Sequence, residues 1–275
     1  MKSLIVIPSR YASKRFPAKP LHKIAGHTLL SRVVNIAQRV CAADSKVSYV
    51  VATDDTRIEA HAKEIGAPVV MTDPNLASGT DRALAATNIF KADADFIVNL
   101  QGDAPFTPPE HVHAIINAGK TSRADVVTPV LQMPWDALDI MREQKQIQPF
   151  SGTSCVRRRD GEALWFSKNI LPAIRKEDAL RSSAPLSPVW RHIGLYGYTR
   201  AALARFTSLP EGYYEKLEGL EQLRFLENGM RIMTVAVQTG PNAMWGVDTL
   251  DDAEHAEKLI AQHGDPLDMP TENKA

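Results

Sequence analysis

The sequence has little cysteine and no long apolar run. Cys41 and Cys155 are the only cysteines among the 275 residues, and they lie far apart in the chain. We therefore expect both to be reduced core residues of a cytoplasmic protein. No apolar stretch approaches the roughly 20 residues that a helix needs to cross a bilayer. The start of the chain lacks the apolar length and cleavage site of a signal peptide, so we expect no membrane insertion.

The sequence also carries no net charge. Lysines and arginines number 32, aspartates and glutamates also number 32, and the formal net charge is +0. A chain without an overall field does not attract nucleic acid or an anionic membrane through its net charge, so any anion site must be local. We therefore expect no nucleic-acid partner.

Several catalytic signatures are absent as well. The sequence contains neither GxGxxG nor GxxxxGK[ST], which argues against a dinucleotide oxidoreductase and a P-loop NTPase. It also lacks CxxC, HExxH and GxSxG, which removes the commonest zinc and serine-hydrolase motifs. Any chemistry must therefore rest on other residues.

The first half of the chain alternates predicted strands with predicted helices. The strands fall at 4–7, 47–53, 69–71, 95–100 and 124–130. Helices of about three turns lie between them, and the first is capped by Thr28. This alternation is typical of βαβ units, so we predict an α/β fold with a doubly wound, mostly parallel, Rossmann-like sheet.

The second half predicts a different architecture. Its predicted elements are an irregular stretch at 132–150, a hairpin of strands at 153–158 and 163–167, an exposed loop at 169–188, a strand at 192–198, a helix with an apolar leucine stripe at 214–228, a strand at 232–237 and a helix that ends near 263. We predict a single domain over 1–263, with 131–200 as a smaller mixed β insertion lobe and 264–275 as a frayed tail.

A cationic loop follows the first strand. The strand at 4–7 is apolar at every position, and the next cations are Arg10, Lys14, Arg15 and Lys19. Ligands in open α/β sheets lie beyond the carboxyl ends of the strands, where backbone N–H groups and cationic side chains neutralise phosphate. The loop therefore predicts a phosphate site. The alternative is a solvated basic loop after an edge strand, which is disfavoured because the strand has no polar face.

A second candidate is the segment SGTDR, from Ser78 to Arg82. Its small residues precede a predicted helix, so backbone N–H groups and hydroxyls could bind a ligand there. The segment is equally consistent with an ordinary helix start, in which a serine or threonine caps the helix and Asp81 lies in its first turn. The residues alone leave both interpretations open.

Two aspartates follow predicted strand ends. Asp103 lies in LQGD, where Gly102 allows close backbone approach, and Asp248 lies in GVDT. Two carboxylates at strand ends are what Mg²⁺ bound to phosphate needs, with phosphate oxygens and waters as further ligands. The alternatives are a turn residue for Asp103 and a helix N-cap for Asp248. The spacing does not show that the two side chains meet.

A polar face is predicted within the segment RHIGLYGY. Period-two alternation places His192, Tyr196 and Tyr198 on one side of a strand, as a hydrogen-bonding surface for a polyhydroxylated ligand. A single histidine is more often structural, but the tyrosines on the same face favour binding. Glu221 and Gln222 lie beside the leucine stripe of a later predicted helix, where the alternative is a solvated helix face.

Taken together, these segments resemble one family. The match extends over nearly the whole chain, and its segments in order are IPSRYASKRFPAKPL, VATDD, MT, SGTDR, VNLQGD, ALWFSK, RHIGLYGY, LEGLEQLRFLENG and VDT. The family is that of the 3-deoxy-manno-octulosonate cytidylyltransferases, or CMP-Kdo synthetases. Its members activate 3-deoxy-D-manno-octulosonate (Kdo) with CTP for lipopolysaccharide biosynthesis, giving CMP-Kdo and pyrophosphate. The resemblance implies a nucleotidyltransferase with these substrates.

The resemblance also implies a role for each candidate residue. The residues expected to bind the nucleotide are Arg10, Arg15, Lys19, Ser78, Arg82 and Gln101. The residues expected to be catalytic are Lys19, Arg10, Asp103 and Asp248, the two aspartates as ligands of Mg²⁺. The residues expected to contact the sugar acid are His192, Tyr196, Glu221 and Gln222. The family resemblance further implies a homodimer, with ALWFSK and RHIGLYGY contributing to its interface.

The sequence departs from the family pattern in three places. Ala104 stands where the family has a glutamate after QGD, and the segments 148–156 and 176–190 differ from the family's. These departures leave open CMP activation of a related acid sugar, such as an 8-amino Kdo analogue or a sialate-like acid. A catalytically silent nucleotide-binding relative is a further alternative, and the intact cations and aspartates argue against it.

Overall fold

The protein divides into two compact units. The computed structural model describes residues 1–12, 16–90, 93–238 and 246–268. The first unit comprises Met1–Ile116 with the described C-terminal residues 246–268, and the second comprises Asn117–Gln238. The second unit is thus larger than the insertion predicted at 131–200. No helix among the described residues is long and apolar enough to cross a membrane.

The sheet of the first unit is parallel. The strands of this sheet are β1 (Ser3–Ser9), β4 (Val47–Thr53), β5 (Val69–Met71) and β6 (Phe96–Asn99), whereas β2 (Lys23–Ile24) and β3 (His27–Thr28) form a separate antiparallel pair. The helices of the unit are α1 (Leu29–Ala43), α2 (Thr56–Glu64), α3 (Gly79–Ile89) and α4 (Pro109–Thr121), in which the division into units falls. Within this unit the strand order is β5-β4-β1-β6, and neighbouring strands are parallel. β1 lies inside the sheet and its residues 4–7 are fully buried, because it is apolar on both faces. The predicted α/β fold with a mostly parallel sheet is confirmed.

The second unit has a mixed sheet built on β7. Its strands are β7 (Val126–Pro134), β8 (Ser154–Arg157), β9 (Ala163–Ser167), β10 (Leu186–His192), β11 (Tyr196–Thr199) and β12 (Ile232–Ala236), and its helices are α5 (Trp135–Ile147), α6 (Glu177–Ser183), α7 (Arg200–Ser208), α8 (Tyr213–Glu218) and α9 (Gln222–Glu227). β7 pairs antiparallel with β10 and β11 and parallel with β12. The predicted hairpin is confirmed as β8 and β9, which pair antiparallel.

The prediction of an irregular stretch at 132–150 is wrong, because β7 extends into it and α5 follows directly. Trp135, Leu138 and Met141 are the buried residues of α5. The polar run MREQKQIQ begins at the last of them, so most of it supplies solvated faces of the helix and conceals the period in the sequence. The loop predicted at 169–188 likewise contains α6 and the start of β10.

The single helix predicted at 214–228 is two helices, α8 and α9. Gly219 ends α8 with a φ of 62°, a left-handed conformation that glycine adopts at low cost. Because the helix axis changes there, the predicted leucine stripe is only partly buried. Leu223 is fully buried, but Leu217 is 62% exposed.

The chain ends in the first unit with α10 (Leu250–His263). Thr249 caps this helix in a capping box with Asp252. The tail predicted to fray from 264 is bonded at its start, where Arg32 of α1 donates to both carboxylate oxygens of Asp265. Residues 269–275 lie outside the described residues.

Both cysteines are free thiols, and Cys155 in β8 is a buried core residue as predicted, whereas Cys41 on α1 is only half-buried. Burial raises the pKa of Cys41 to about 11 and that of Cys155 to about 12. Since the thiolate is the reactive species, neither thiol is activated at neutral pH.

Candidate active site

The first candidate site lies at the carboxyl edge of the parallel sheet. β1 ends at Ser9 and is followed by Arg10, and β6 ends at Asn99 and is followed by Gln101 and Asp103. β1 and β6 are adjacent and parallel, so the loops that follow them leave the same edge of the sheet. Ligands in α/β sheets bind at this edge, and the predicted site residues Arg10, Gln101 and Asp103 therefore lie there.

Lys19 joins the two aspartates that were predicted to bind metal. Its Nζ donates to Oδ2 of Asp103 at 2.8 Å and to Oδ1 of Asp248 at 3.1 Å. The side chain of Lys19 is 13% exposed, whereas those of Asp103 and Asp248 are 39% and 50% exposed. The carboxylates thus remain open to solvent above a largely buried ammonium. Thr249 is the cap of α10, so the N-cap alternative for Asp248 is wrong.

Lys19, Asp103 and Asp248 together form a charge cluster, and one apolar cluster underlies the three segments that carry it. Its buried members are Phe16, Ile24, Leu29, Phe106, Val247, Ala253 and Ala256. Phe16 belongs to the loop that carries the lysine, Phe106 to the loop after β6, and Val247 to the segment before α10. Close packing in a buried cluster restricts the backbone of each segment. The three charged side chains are therefore brought together by burial of their apolar neighbours.

The loop after β6 also packs tightly on the end of β1. A Cβ placed on Gly102 would lie 2.5 Å from the carbonyl oxygen of Pro8 and 2.8 Å from Oγ of Ser9. Only glycine fits this approach without movement of the backbone. On the other side of the same loop, the N–H of Val247 donates to the carbonyl of Asp103 at 2.9 Å. The backbone around Asp103 is therefore held from both sides.

Two buried polar side chains at this edge were not identified from the sequence. Asn99 is fully buried and neither atom of its amide has a partner among the described residues, and the buried hydroxyl of Ser9 is in the same state. A Cβ on Gly79 would lie 4.0 Å from Nδ2 of Asn99 and 3.6 Å from Oε1 of Gln101, so both amides border the start of α3. Buried polar groups without partners are costly. The sequence signal that finds them is a polar residue ending an apolar strand.

The segment SGTDR forms a capped helix start. Oγ of Ser78 accepts a hydrogen bond from the N–H of Asp81 at 3.1 Å, and the carboxylate of Asp81 accepts one from the N–H of Ser78 at 3.0 Å. The capping alternative is thus present in the structure. It does not exclude a ligand at the helix start, and nucleotide binding by Ser78 remains a prediction.

Arg82 is fully buried in an ion pair. Its guanidinium donates to Oδ2 of Asp54 at 2.8 Å and to the hydroxyl of Thr72. Burial lowers the pKa of Arg82, the charge of Asp54 offsets part of this effect, and the charge of Arg10 lowers the pKa further. Because its guanidinium is already engaged, Arg82 holds the ends of neighbouring segments together in the free protein.

Arg10 lies at the end of β1, where its guanidinium donates to the carbonyl of Leu76, two residues before the start of the capping box at Ser78. The structure therefore brings the first cation of the predicted phosphate loop to the segment that precedes α3. The loop cations Lys14 and Arg15 lie outside the described residues, and the role of Arg15 remains a prediction.

Asp103 and Asp248 offer carboxylate oxygens, which are ligands that suit Mg²⁺. No group of three or more histidine, cysteine, aspartate or glutamate side chains among the described residues is arranged to hold a metal by itself. Mg²⁺ is usually held by one or two carboxylates, with phosphate oxygens and waters completing its shell. The aspartate pair therefore fits a metal that binds together with a nucleotide. The ammonium of Lys19 marks the place between the carboxylates where positive charge is stabilised.

The second candidate site lies in the second unit, around His192. β10 ends at His192 and β11 begins at Tyr196, so the continuous strand predicted at 192–198 is interrupted. The ring centroids of His192 and Tyr196 are nevertheless 5.3 Å apart, and the ring of Tyr196 stacks on that of Tyr198 at 5.9 Å. The predicted aromatic face therefore forms, but across a break between two strands.

His192 is an uncharged hydrogen-bonding group. Its Nε2 lies 2.9 Å from Oγ1 of Thr128, and that hydroxyl lies 2.8 Å from the carbonyl oxygen of Leu195. When the hydroxyl donates to the carbonyl, the imidazole donates to the hydroxyl. Burial, together with the nearby charge of Lys168, lowers the pKa of His192 to about 3. The imidazole is therefore neutral at pH 7.

Tyr196 and Gln222 form a buried polar pair. The hydroxyl of Tyr196 donates to Oε1 of Gln222 at 3.0 Å, and Nε2 of the buried Gln222 has no partner among the described residues. Burial raises the pKa of Tyr196 well above its ordinary value, and the charges of Tyr198 and Glu221 add to the rise. The solvated-face alternative for Gln222 is wrong. Glu221 is half-buried at the start of α9.

Three cations of the second unit were also not identified from the sequence. They are Lys145, Lys168 and Arg191. Burial lowers the pKa of all three, that of Arg191 to about 10, and the charges of Lys168 and Arg191 lower that of Lys145 further. The ammonium of Lys145 donates to the carbonyl of Lys168 at 2.5 Å, and the carboxylate of Glu218 accepts from the N–H of Lys168 at 2.7 Å. A cluster with this excess of positive charge suits an anionic ligand.

Comparison with known proteins identifies the family. The family model for cytidylyltransferases matches residues 4–232. The 3-deoxy-manno-octulosonate cytidylyltransferase of Maricaulis maris (strain MCS10) is 41% identical over 269 residues, which cover 96% of this chain and 99% of that relative. The chain belongs to the 3-deoxy-manno-octulosonate cytidylyltransferase family. The family predicted from the sequence segments is thereby confirmed.

Other family members and solved structures agree with this assignment. The enzyme of the same name from Bacteroides thetaiotaomicron is 37% identical, over 94% of this chain and 98% of its own. The structure of CMP:2-keto-3-deoxy-manno-octonic acid synthetase complexed with CTP is 33% identical, covers 95% of this chain and 99% of its own, and has a TM-score of 0.80. A cytidylyltransferase from Leptospira borgpetersenii, at 17% identity and a TM-score of 0.58, shares the fold.

The close approach at Gly102 predicts that Gly102→Ala destabilises the cytidylyltransferase. We expect a loss of about 1–3 kcal/mol in the free energy of unfolding, because the new methyl group overlaps the backbone of Pro8. Gly194→Ala is the matched control, since a Cβ there meets no atom within 4 Å. Urea unfolding followed by circular dichroism measures both variants. Equal stability of Gly102→Ala and the unaltered protein would contradict the prediction.

The neutral state of His192 predicts a pH-dependent stability. Its folded pKa of about 3 lies below the ordinary value of 6.5, so the unfolded chain binds a proton that the folded chain does not. Stability should therefore fall as the pH falls from 6.5 towards 3. His192→Gln retains a side-chain donor but does not titrate, so it should remove part of this dependence. Urea unfolding at several pH values tests this, and an unchanged dependence in the variant would refute it.

Proposed function

We propose that this protein transfers the cytidylyl group of CTP to Kdo, giving CMP-Kdo and pyrophosphate. The observation that carries the proposal is the convergence of Lys19, Asp103 and Asp248 at the carboxyl edge of a parallel sheet. The relatives at 41% and 37% identity are named for this activity, and the similar structure at 33% identity is a complex with CTP.

On the nucleotide side, cationic side chains bind the triphosphate. Arg10, Arg15 and Lys19 bind its phosphates, since lysine and arginine neutralise phosphate oxygens through charge-assisted hydrogen bonds. Ser78 at the start of α3 and Gln101 line the cytidine site. Arg82, which is engaged by Asp54, contributes to nucleotide binding mainly by holding the segments around the site.

Asp103 and Asp248 are the proposed ligands of Mg²⁺. When bound there with the nucleotide, the ion would neutralise phosphate charge. Each carboxylate of the free protein contacts the same ammonium, so both are already held where a cation is favoured. Their orientation is therefore established before the substrates bind, which reduces the reorganisation that binding requires.

The reaction exchanges one phosphorus–oxygen bond for another. The oxygen of the anomeric hydroxyl of the sugar forms a bond to the α-phosphorus, and the bond between that phosphorus and the bridging oxygen of pyrophosphate breaks. The hydroxyl proton passes to water. Lys19 and Arg10 offset the charge that develops on the departing pyrophosphate. Because phosphoryl transfer requires little covalent chemistry from the protein, these side chains act by position and charge.

On the sugar side, we propose that His192, Tyr196, Glu221 and Gln222 contact the hydroxyl groups of the substrate. Nε2 of Gln222, which has no partner within the part of the chain that the structure describes, is a donor available to such a ligand. The cations Lys168 and Arg191 suit the carboxylate of an acid sugar, since burial has already removed much of their hydration. An acid sugar therefore fits this unit better than a neutral one.

A related acid sugar is the alternative substrate, because Ala104 and the segments 148–156 and 176–190 depart from the family pattern. We further propose that the enzyme is a cytoplasmic homodimer. Two free cysteines with raised pKa values agree with a reducing compartment.

Removal of either carboxylate that is proposed to bind Mg²⁺ should abolish turnover. Asp103→Asn and Asp248→Asn are each expected to reduce pyrophosphate release by at least about 100-fold, because the negative charge that holds the cation is lost. Asp251→Asn is the matched control, since Asp251 is an exposed residue in the first turn of α10. Pyrophosphate release with CTP, Mg²⁺ and Kdo is the measurement. Near-normal release by both variants would refute the metal assignment.

The identity of the sugar is tested with a panel of acceptors. Pyrophosphate release is measured with CTP and Mg²⁺ in the presence of Kdo, an 8-amino Kdo analogue, a sialate or no sugar. We expect the highest kcat/KM with Kdo. A higher value with another acid sugar would establish the alternative substrate. Release with none of them, despite CTP binding in calorimetry, would identify a catalytically silent relative.

A further inference from the structure

A buried ion pair lies away from the charge cluster but is bonded to the segments that carry it. Arg32 of α1 is fully buried. Its Nη2 donates to Oδ2 of Asp265 at 2.7 Å and its Nη1 donates to Oδ1 at 2.9 Å. The same guanidinium donates through Nη2 to the carbonyl of Ile24 at 2.7 Å and through Nε at 3.2 Å. One side chain is therefore bonded to two parts of the chain, to β2, which precedes α1, and to Asp265, which follows α10.

Each of these two parts carries one member of the charge cluster. Ile24 in β2 follows the short turn Lys19–Leu21 that presents the lysine. Asp265 follows α10, and Asp248 lies just before the start of the same helix. Because a helix is a stiff rod, holding the end of α10 restrains the position of its beginning. Arg39 adds a second bond at this end, from its Nη1 to the carbonyl of Pro266 at 3.1 Å.

The ion pair also touches the third segment of the charge cluster. The guanidinium carbon of Arg32 lies 5.7 Å from the centre of the Phe106 ring, within the range of a cation–π contact. Phe106 belongs to the loop after β6 that carries Asp103. Ile24 and Phe106 are both members of the apolar cluster beneath the site. Arg32 thus contacts or bonds every segment that contributes to the cluster of Lys19 and the two carboxylates.

A buried ion pair fixes the relative position of its two side chains more reliably than it stabilises the folded state. Removing two charges from water is costly, and apolar residues of similar volume often give equal stability. A bidentate pair between guanidinium and carboxylate nevertheless has a defined distance and direction. Apolar side chains in the same place would pack without such a fixed direction, so they would define the position of the end of α10 less closely. The pair is therefore suited to set the position of the helix.

We propose that the Arg32–Asp265 pair positions the metal and triphosphate site. Together with the N–H of Ala25, which donates to Oε1 of Glu257 in α10 at 3.1 Å, the pair sets the distance between the turn that carries Lys19 and the helix that begins after Asp248. The inference rests on the proposed function of Lys19, Asp103 and Asp248. Arg32 and Asp265 are positioning residues, and they act through Ile24 and α10.

The decisive variant removes both charges at once. Arg32→Met with Asp265→Leu replaces the pair by apolar side chains, so the loss of the two charges should itself change the free energy of unfolding little. The destabilisation that remains is the loss of the two bonds from Arg32 to the carbonyl of Ile24. We expect the Mg²⁺ concentration at half-maximal pyrophosphate release, and the calorimetric Kd of CTP in the presence of Mg²⁺ without sugar, to increase by about 3–30-fold. The value of kcat at saturating Mg²⁺ and CTP should change less, because the reacting groups themselves are intact.

The matched control is an exposed ion pair in the same unit. Lys2 and Asp93 pair at 2.7 Å with both side chains largely exposed, and Lys2→Gln with Asp93→Asn should leave both readouts unchanged. An unaltered half-maximal Mg²⁺ concentration and an unaltered Kd for CTP in the folded Arg32/Asp265 variant would overturn the proposal, because the pair would then be merely structural.

A third variant keeps the proposal testable if the double variant does not fold. Asp265→Asn retains the shape and one acceptor oxygen of the carboxylate, and we expect the same two quantities to increase by a smaller factor. No increase in this variant would overturn the proposal. Failure of the proposed function would be seen separately, as normal turnover by Asp103→Asn and Asp248→Asn.

Discussion

The ammonium group of Lys19 lies between two carboxylates that would otherwise repel each other. Like charges brought to one place cost free energy, and a cation between them removes that cost. Several features of the surrounding structure make this arrangement possible. The strands end at this edge, Gly102 admits the end of β1, and the capping of α10 by Thr249 leaves the carboxylate of Asp248 for the cluster. When a nucleotide and Mg²⁺ bind, the same carboxylates can pair with the metal and the ammonium with phosphate.

The two candidate sites offer different kinds of interaction to a ligand. The edge of the parallel sheet presents half-exposed charges around a largely buried lysine, which suits a highly charged, hydrated triphosphate. The second unit presents neutral groups whose pKa values burial has displaced away from pH 7, such as His192 and Tyr196. Neutral donors and acceptors in a buried place suit the hydroxyl groups of a sugar, and the nearby cations suit its carboxylate.

Much of the first unit could be predicted because its elements have strong local signals. β4 and β5 have the predicted bounds, and Thr28 caps α1 as expected, since short runs of β-branched residues and helix caps are patterns of adjacent residues. Prediction was poorer in the second unit. α5 buries few apolar residues, and a single left-handed glycine divides the helix predicted at 214–228. The few buried residues of α5 give too short an apolar repeat to be recognised, and a single glycine gives no repeat at all.

Sequence patterns alone established the parallel α/β class, the types of residue in the site and the family resemblance, because each of these depends on neighbouring residues or on short ordered segments. The meeting of Lys19 with Asp103 and Asp248, and the bonding of Arg32 to Asp265, came only with the folded chain. Such contacts join residues far apart in the chain, so no local pattern encodes them. They follow from which apolar side chains pack together, and packing is a property of the whole unit.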